Sequence, residues 1–178
     1  MNQKRSPFLR ALLYIIRSLL VILFIFLFCL LCFKQASQIS NITVVTIEGL
    51  TTWAETIINA GNPEKYEPEA LQQYFIQGTV DNQAILKKND YQNYIISYYD
   101  YTVQLKGVHV LPWSRRGTVE VEEIVTPING RLNEAVENST LPRTPPVWNE
   151  KKYKVNLVKD ATGRWYIESM IEQEKEEK

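Results

Sequence analysis

Fifteen consecutive apolar residues, positions 19–33 (LLVILFIFLFCLLCF), constrain this chain more than anything else in it. As a helix they cover about 22 Å, short of a hydrocarbon core of roughly 30 Å. Extending back to residue 12 supplies the missing turns and takes in Arg17 and Ser18. Arg17 can turn its long stem toward the headgroups and keep its charge wet. The sequence therefore predicts a transmembrane helix over 12–33, with Arg17, Leu19, Phe24, Phe28 and Phe33 as anchor residues.

The flanks predict its orientation. Lys4, Arg5, Arg10 and Arg17 lie on one side and Lys34 on the other, and no acidic residue precedes Glu48. Basic flanks stay in the cytoplasm, so 1–11 is expected as a basic cytoplasmic tail and the rest as extracytoplasmic. A cleaved signal peptide needs small residues before the cut. Here Lys34 stands at the −3 position of the Ala36 site, so an uncleaved anchor in the cell membrane is expected.

Beyond residue 34 the chain carries 15 basic and 20 acidic side chains, a net of −5, which disfavours nucleic acid as a partner. Both cysteines, Cys29 and Cys32, fall inside the apolar run and read as apolar filler. The remaining domain has no disulfide, and a single histidine, His109, does not make a zinc site. No cofactor is implied.

Past the span, 34–47 is β-branched and reads as a stalk or a first strand. From Glu48 the positions Leu50, Trp53, Ala54, Ile57 and Ile58 repeat at helical spacing. Gly61-Asn62-Pro63 is expected to stop that helix, with Gly61 as a left-handed cap. A second helix is expected from Glu67 or Pro68, with Leu71, Tyr74 and Phe75 on one face and Gly78 at its end. Ala84 to Lys88 fits a further turn.

The period then changes to two. Strands are predicted over 95–111, 118–128, 147–158 and 164–171, with a turn at 112–117 and a hairpin turn from Asp160 to Gly163. Alternation slips at Glu123-Ile124, which suggests a bulge. Between strands, 129–146 is a long connection rich in Asn, Pro and Thr, with a helical turn expected around Leu132 to Val136. The charged residues 172–178 read as a solvated tail. The order is helices, then a four-stranded antiparallel meander, an α+β fold in which the helices cover the sheet over 48–171.

The search for chemistry returns little. Asp100 and Tyr101 are adjacent on a strand and point to opposite faces, so they do not share a pocket. Glu120 and Glu122 share a face opposite Val119 and Val121 and read as a charged outer surface. The tyrosines Tyr91, Tyr94, Tyr98, Tyr99 and Tyr101 read mainly as core with hydroxyls satisfied at the rim. An exposed subset, Tyr98, Trp113 and Trp148, together with Arg115 and Arg116, is the candidate partner surface. An acidic partner or phospholipid headgroups would suit the two arginines.

The layout resembles the NTF2-like superfamily, and the closing segment KYKVNLVKDATGRWYIESM resembles the last two strands of such domains. With a basic tail and one membrane helix in front, it also resembles VirB8-like and TcpC-like conjugation proteins. The resemblance implies helices packed on a curved four-stranded sheet, an NTF2-like cone. It also implies a non-enzymatic scaffold of a conjugative or type IV secretion channel. The partners it implies are the lipid bilayer, copies of itself and other envelope proteins. The alternative is an extracytoplasmic NTF2-like domain that binds, or acts on, a small molecule.

Overall fold

The helix that holds the apolar segment does not end where the apolar run ends. A computed structural model describes residues 7–77, 79, 89–134 and 140–173. In it a single helix, α1, runs from Pro7 to Ile58 without a break. Its 52 residues extend about 78 Å at about 1.5 Å per residue. Residues 19–33 are exposed on every side, whereas the second half buries one stripe. That stripe is Gln38, Ile42, Thr46, Gly49, Leu50, Trp53, Ala54, Ile57 and Ile58, spaced by three or four residues where it begins.

Residues 34–47 are therefore neither a stalk nor a first strand, but helix. Their β-branched composition disfavours a helix only weakly, and tertiary packing of a helical stripe overrides it. Gly49 belongs to that packing. A Cβ there would lie 2.7 Å from Ile167 Cδ1 and 3.0 Å from Tyr74 Cβ, so the helix backbone sits directly on its neighbours.

Gly61 follows the helix end, but not as a left-handed cap. Among the described residues only Gly163 has a positive φ, 92°. Gly61 is needed for space: a Cβ there would run into the Tyr94 carbonyl and lie 2.9 Å from the carbonyls of Tyr91 and Gln92. Rigid backbone cannot yield as a side-chain tip can. Gly61→Ala is therefore expected to cost about 2 kcal/mol, a typical penalty for overpacking. Chemical denaturation of the detergent-solubilised chain measures it, and an unchanged midpoint would contradict the close approach.

The second helix shrinks to a 3₁₀ turn at Pro68–Gln73, with Leu71 buried beneath it. The next residues leave the helical path and join a sheet edge. Ile76 N–H donates to Ile167 O at 3.1 Å, and Ile167 N–H to Tyr74 O at 2.7 Å. Gly78, 84–88, 135–136 and 174–178 lie outside the described residues, so the helix end at Gly78, the turn at 84–88 and most of the tail do as well.

Among the described residues six strands follow: β1 (Tyr94–Tyr98), β2 (Tyr101–Val110), β3 (Arg116–Val125), β4 (Asn129–Leu132), β5 (Lys152–Lys159) and β6 (Trp165–Gln173). The expected four-stranded antiparallel meander is present, in the order β2-β3-β5-β6. The first predicted strand is broken at Tyr99-Asp100. Its front half, β1, pairs with β4, a strand inside the stretch read as a connection. Around the break Thr126 N–H donates to Asp100 O, and Asp100 N–H to Thr126 Oγ1.

The bulge expected at Glu123-Ile124 is absent, since β3 stays in register with β2 from Tyr101↔Val125 to Leu105↔Val121. The irregularity sits instead in β2, between Leu105 and Gly107. The core between α1 and the sheet is filled by Ile42, Leu50, Ile58, Phe75, Val119, Val121, Val155, Leu157, Trp165 and Ile167, all nearly or fully buried. It closes with polar clasps. Gln38 Oε1 accepts from Trp165 Nε1 at 3.0 Å and from Lys159 Nζ at 2.6 Å.

Candidate functional site

Alternation along β3 turns Gly117, Val119 and Val121 inward, and the next inward position is Glu123. A carboxylate is thereby carried into the interior with no exposed surface. A buried charge is costly unless hydrogen-bonded, and this one has three donors. Tyr101 Oη donates to Glu123 Oε1 at 2.8 Å. Trp148 Nε1 and the Lys151 backbone N–H donate to Oε2 at 3.2 and 3.3 Å. The Glu123 backbone N–H in turn donates to Lys151 O at 3.0 Å.

Aromatic rings surround the carboxylate. Trp148 lies 6.1 Å from Trp53, 6.1 Å from Tyr101 and 6.0 Å from Tyr91, centroid to centroid. Trp53 meets Tyr153 edge-on at 6.3 Å. Such edge-to-face pairs add modestly to the area they bury. Burial raises the Glu123 pKa, against the opposing pull of its three donors. It also raises Tyr101 and Tyr153, and the nearby Glu123 carboxylate pushes both further in the same direction. Tyr91 is pushed up to about 12, chiefly by burial.

Two other tyrosine hydroxyls hold down the proline-rich segment that carries Trp148. Tyr91 Oη donates to Pro146 O at 3.1 Å, and Tyr94 Oη to Pro142 O at 2.9 Å. Outside this wall lies an open groove of about 1190 Å³ formed by Val125 to Ile128, Pro145 to Lys152, Glu172 and Gln173. Val147 stands at its rim, 86 % exposed.

The residues named as a partner surface do not share one face. Trp113, Arg115 and Arg116 stand together at the β2–β3 turn. Arg115 donates to the Lys159 and Asp160 carbonyls, and Arg116 pairs with Glu168 at 3.1 Å. Tyr98 is exposed at the end of β1, in the other sheet, separated from that turn by the ten residues of β2. Trp148, expected to be exposed, is half-buried in the aromatic wall. Asp100 is exposed, as its strand position implied. Glu122 faces outward to Lys106 at 2.9 Å and Lys152 at 3.7 Å, which lowers its pKa.

Glu123 reads in the sequence as a slip in the alternation, because a carboxylate at an inward strand position is unusual. The signal was there: the period of two continues through it, and Tyr101 sits two residues from its cross-strand partner Val103. No protein-family model matches the chain, and no curated protein is significantly similar to it.

Proposed function

We propose that this chain is a non-enzymatic, single-pass assembly protein of the cell membrane, with its N-terminus in the cytoplasm and its folded domain outside. In this reading it is a scaffold component of a conjugative or type IV secretion channel, built on an NTF2-like cone. The observation that carries the proposal is the continuity of α1. One helix is long and apolar enough to cross a membrane and is also a structural element of the domain. A domain mounted this way keeps its height and rotation relative to the bilayer, as a part that must fit neighbours requires. Confinement in two dimensions raises effective concentration, so weak lateral contacts suffice. The filled interior, and a Glu123 carboxylate whose oxygens are engaged by protein donors, also support a structural role.

Photocrosslinking in native membranes tests this, with the reactive group placed at Val147 on the groove rim or at exposed Tyr98. Self-crosslinked species and adducts with other envelope proteins are expected. A strictly monomeric, partner-free chain would overturn the proposal.

The box around Glu123 favours a second reading, a domain that binds or acts on a small molecule. It requires a ligand to reach Tyr101 and Trp148. Titrating tryptophan emission with apolar ligands separates the two readings, because saturable quenching of Trp148, which lines the groove, appears only if a ligand binds there.

A further inference from the structure

We propose that the β2–β3 turn is a second membrane contact, in which Trp113 and Leu111 sit in the lipid interface beside the exit of α1 and basic groups around them bind lipid phosphates. The inference rests on residues 12–33 lying in the bilayer, and its argument begins from height. The apolar run ends at Phe33. Gln35 and Gln38 then lie about 3 and 7.5 Å further along the helix axis. That matches the depth of a headgroup layer, about 5–8 Å per leaflet.

These two glutamines hold the turn. Gln35 Nε2 donates to Val110 O at 2.7 Å, and Gln38 Nε2 to Pro112 O at 3.4 Å. The turn closes with Ser114 N–H donating to Leu111 O at 3.0 Å. So the tip is fastened to the helix at headgroup level. Yet Trp113 is 70 % exposed and Leu111 55 % exposed. In water that exposure forfeits the burial of a large indole. In a lipid interface it is where tryptophan is enriched.

The charge around the tip agrees. Lys34 and Arg115 are both close enough to Lys159 to lower its pKa, after burial as the main cause. Lys159 also stands over the Trp165 ring at 4.7 Å and donates to Gln38. Two carboxylates lie in the same region. Glu168 pairs with Arg116, and Asp160, held ionised by Thr162 and the Arg164 backbone N–H, offsets one of the three remaining cations. Lys34, Arg115 and Lys159 still form a net positive cluster facing the level of the lipid phosphates, where each basic side chain contributes about 1 kcal/mol toward an anionic surface.

The test uses the full chain reconstituted in phosphatidylcholine vesicles, with or without phosphatidylglycerol, containing lipids brominated near the headgroup. Trp113→Phe identifies the emission due to Trp113, and alkaline carbonate extraction reports the anchor separately. In a carbonate-resistant protein, the Trp113 emission should be quenched by shallow bromines, as for an indole at the interface. Phosphatidylglycerol should deepen the quenching, and Arg115→Gln should reduce that gain. A carbonate-resistant protein whose Trp113 emission ignores the bromines overturns the lipid contact and leaves the anchor standing. A protein extracted by carbonate overturns the anchor, and the lipid contact with it.

Discussion

Glu123→Ala is expected to destabilise the domain by about 3–5 kcal/mol, because it strands three buried donors at once. Tyr101 Oη, Trp148 Nε1 and Lys151 N–H all lose their acceptor. Glu123→Gln should cost much less, about 1 kcal/mol, since two of the three donors keep an acceptor and only the Tyr101 O–H loses one. Its carboxamide oxygen can accept from Trp148 and Lys151, while its amide donates to Tyr101 Oη, which also accepts. Thermal melts of the detergent-solubilised chain compare the two. Equal, small losses in both variants would show that the carboxylate is not an obligatory acceptor.

The same pair of proteins isolates a pH effect. Burial raises the folded-state pKa of Glu123 above its unfolded value of about 4.3. The folded state then holds this proton more tightly than the unfolded one. The stability it contributes is complete below the unfolded pKa and is lost as pH rises through the folded pKa. Glu122 and Asp160, whose pKa values are lowered, act in the opposite sense and are common to both proteins. The stability of Glu123→Gln relative to the native chain should therefore rise with pH above about 4.3 and then level off. A difference independent of pH would refute the raised pKa.

Ser40→Pro is the second large effect. Ser40 is exposed, so the substitution disturbs no core packing. It removes one helical hydrogen bond and forces the ring against the preceding turn, a cost of about 3 kcal/mol or more. For a domain of this size that lowers the melting temperature by roughly 10 °C. The damage should fall on the clasp just before it, where Gln38 meets Trp165 and Lys159. If the variant melts with the native protein, the helix is not continuous through position 40, and the rigid mounting behind the scaffold proposal goes with it.

What could be read from the residues alone depended on whether inward positions were apolar. The apolar run 19–33 was legible because nothing interrupts it, and the closing hairpin because Tyr153, Val155, Leu157, Trp165 and Ile167 alternate cleanly and Gly163 supplies the positive φ. The helix from Glu48 to Ile58 is legible in its apolar stripe, but residues 34–47 are not, because their inward positions are Gln38, Ile42 and Thr46, only one of them a large apolar residue. The second helix was over-read. Leu71 and Phe75 do face inward, but Phe75 does so from an extended segment bridged to Ile167. Glu123 failed the same way, since solvent-facing charge is the ordinary rule. Its burial depends on donors 22, 25 and 28 residues away in the chain, which no local pattern reveals.

The clasp on Gln38 also sets an order of events in synthesis. Its partner Trp165 lies 127 residues later in the chain. At about 5–20 residues per second, the ribosome takes roughly 6–25 s to make that stretch. Throughout that interval Gln38 waits without its Trp165 partner. In the anchored protein proposed above, the nascent chain is thus tethered before it is folded, and its vulnerable period toward aggregation and quality-control proteases is set by the last hairpin to be translated.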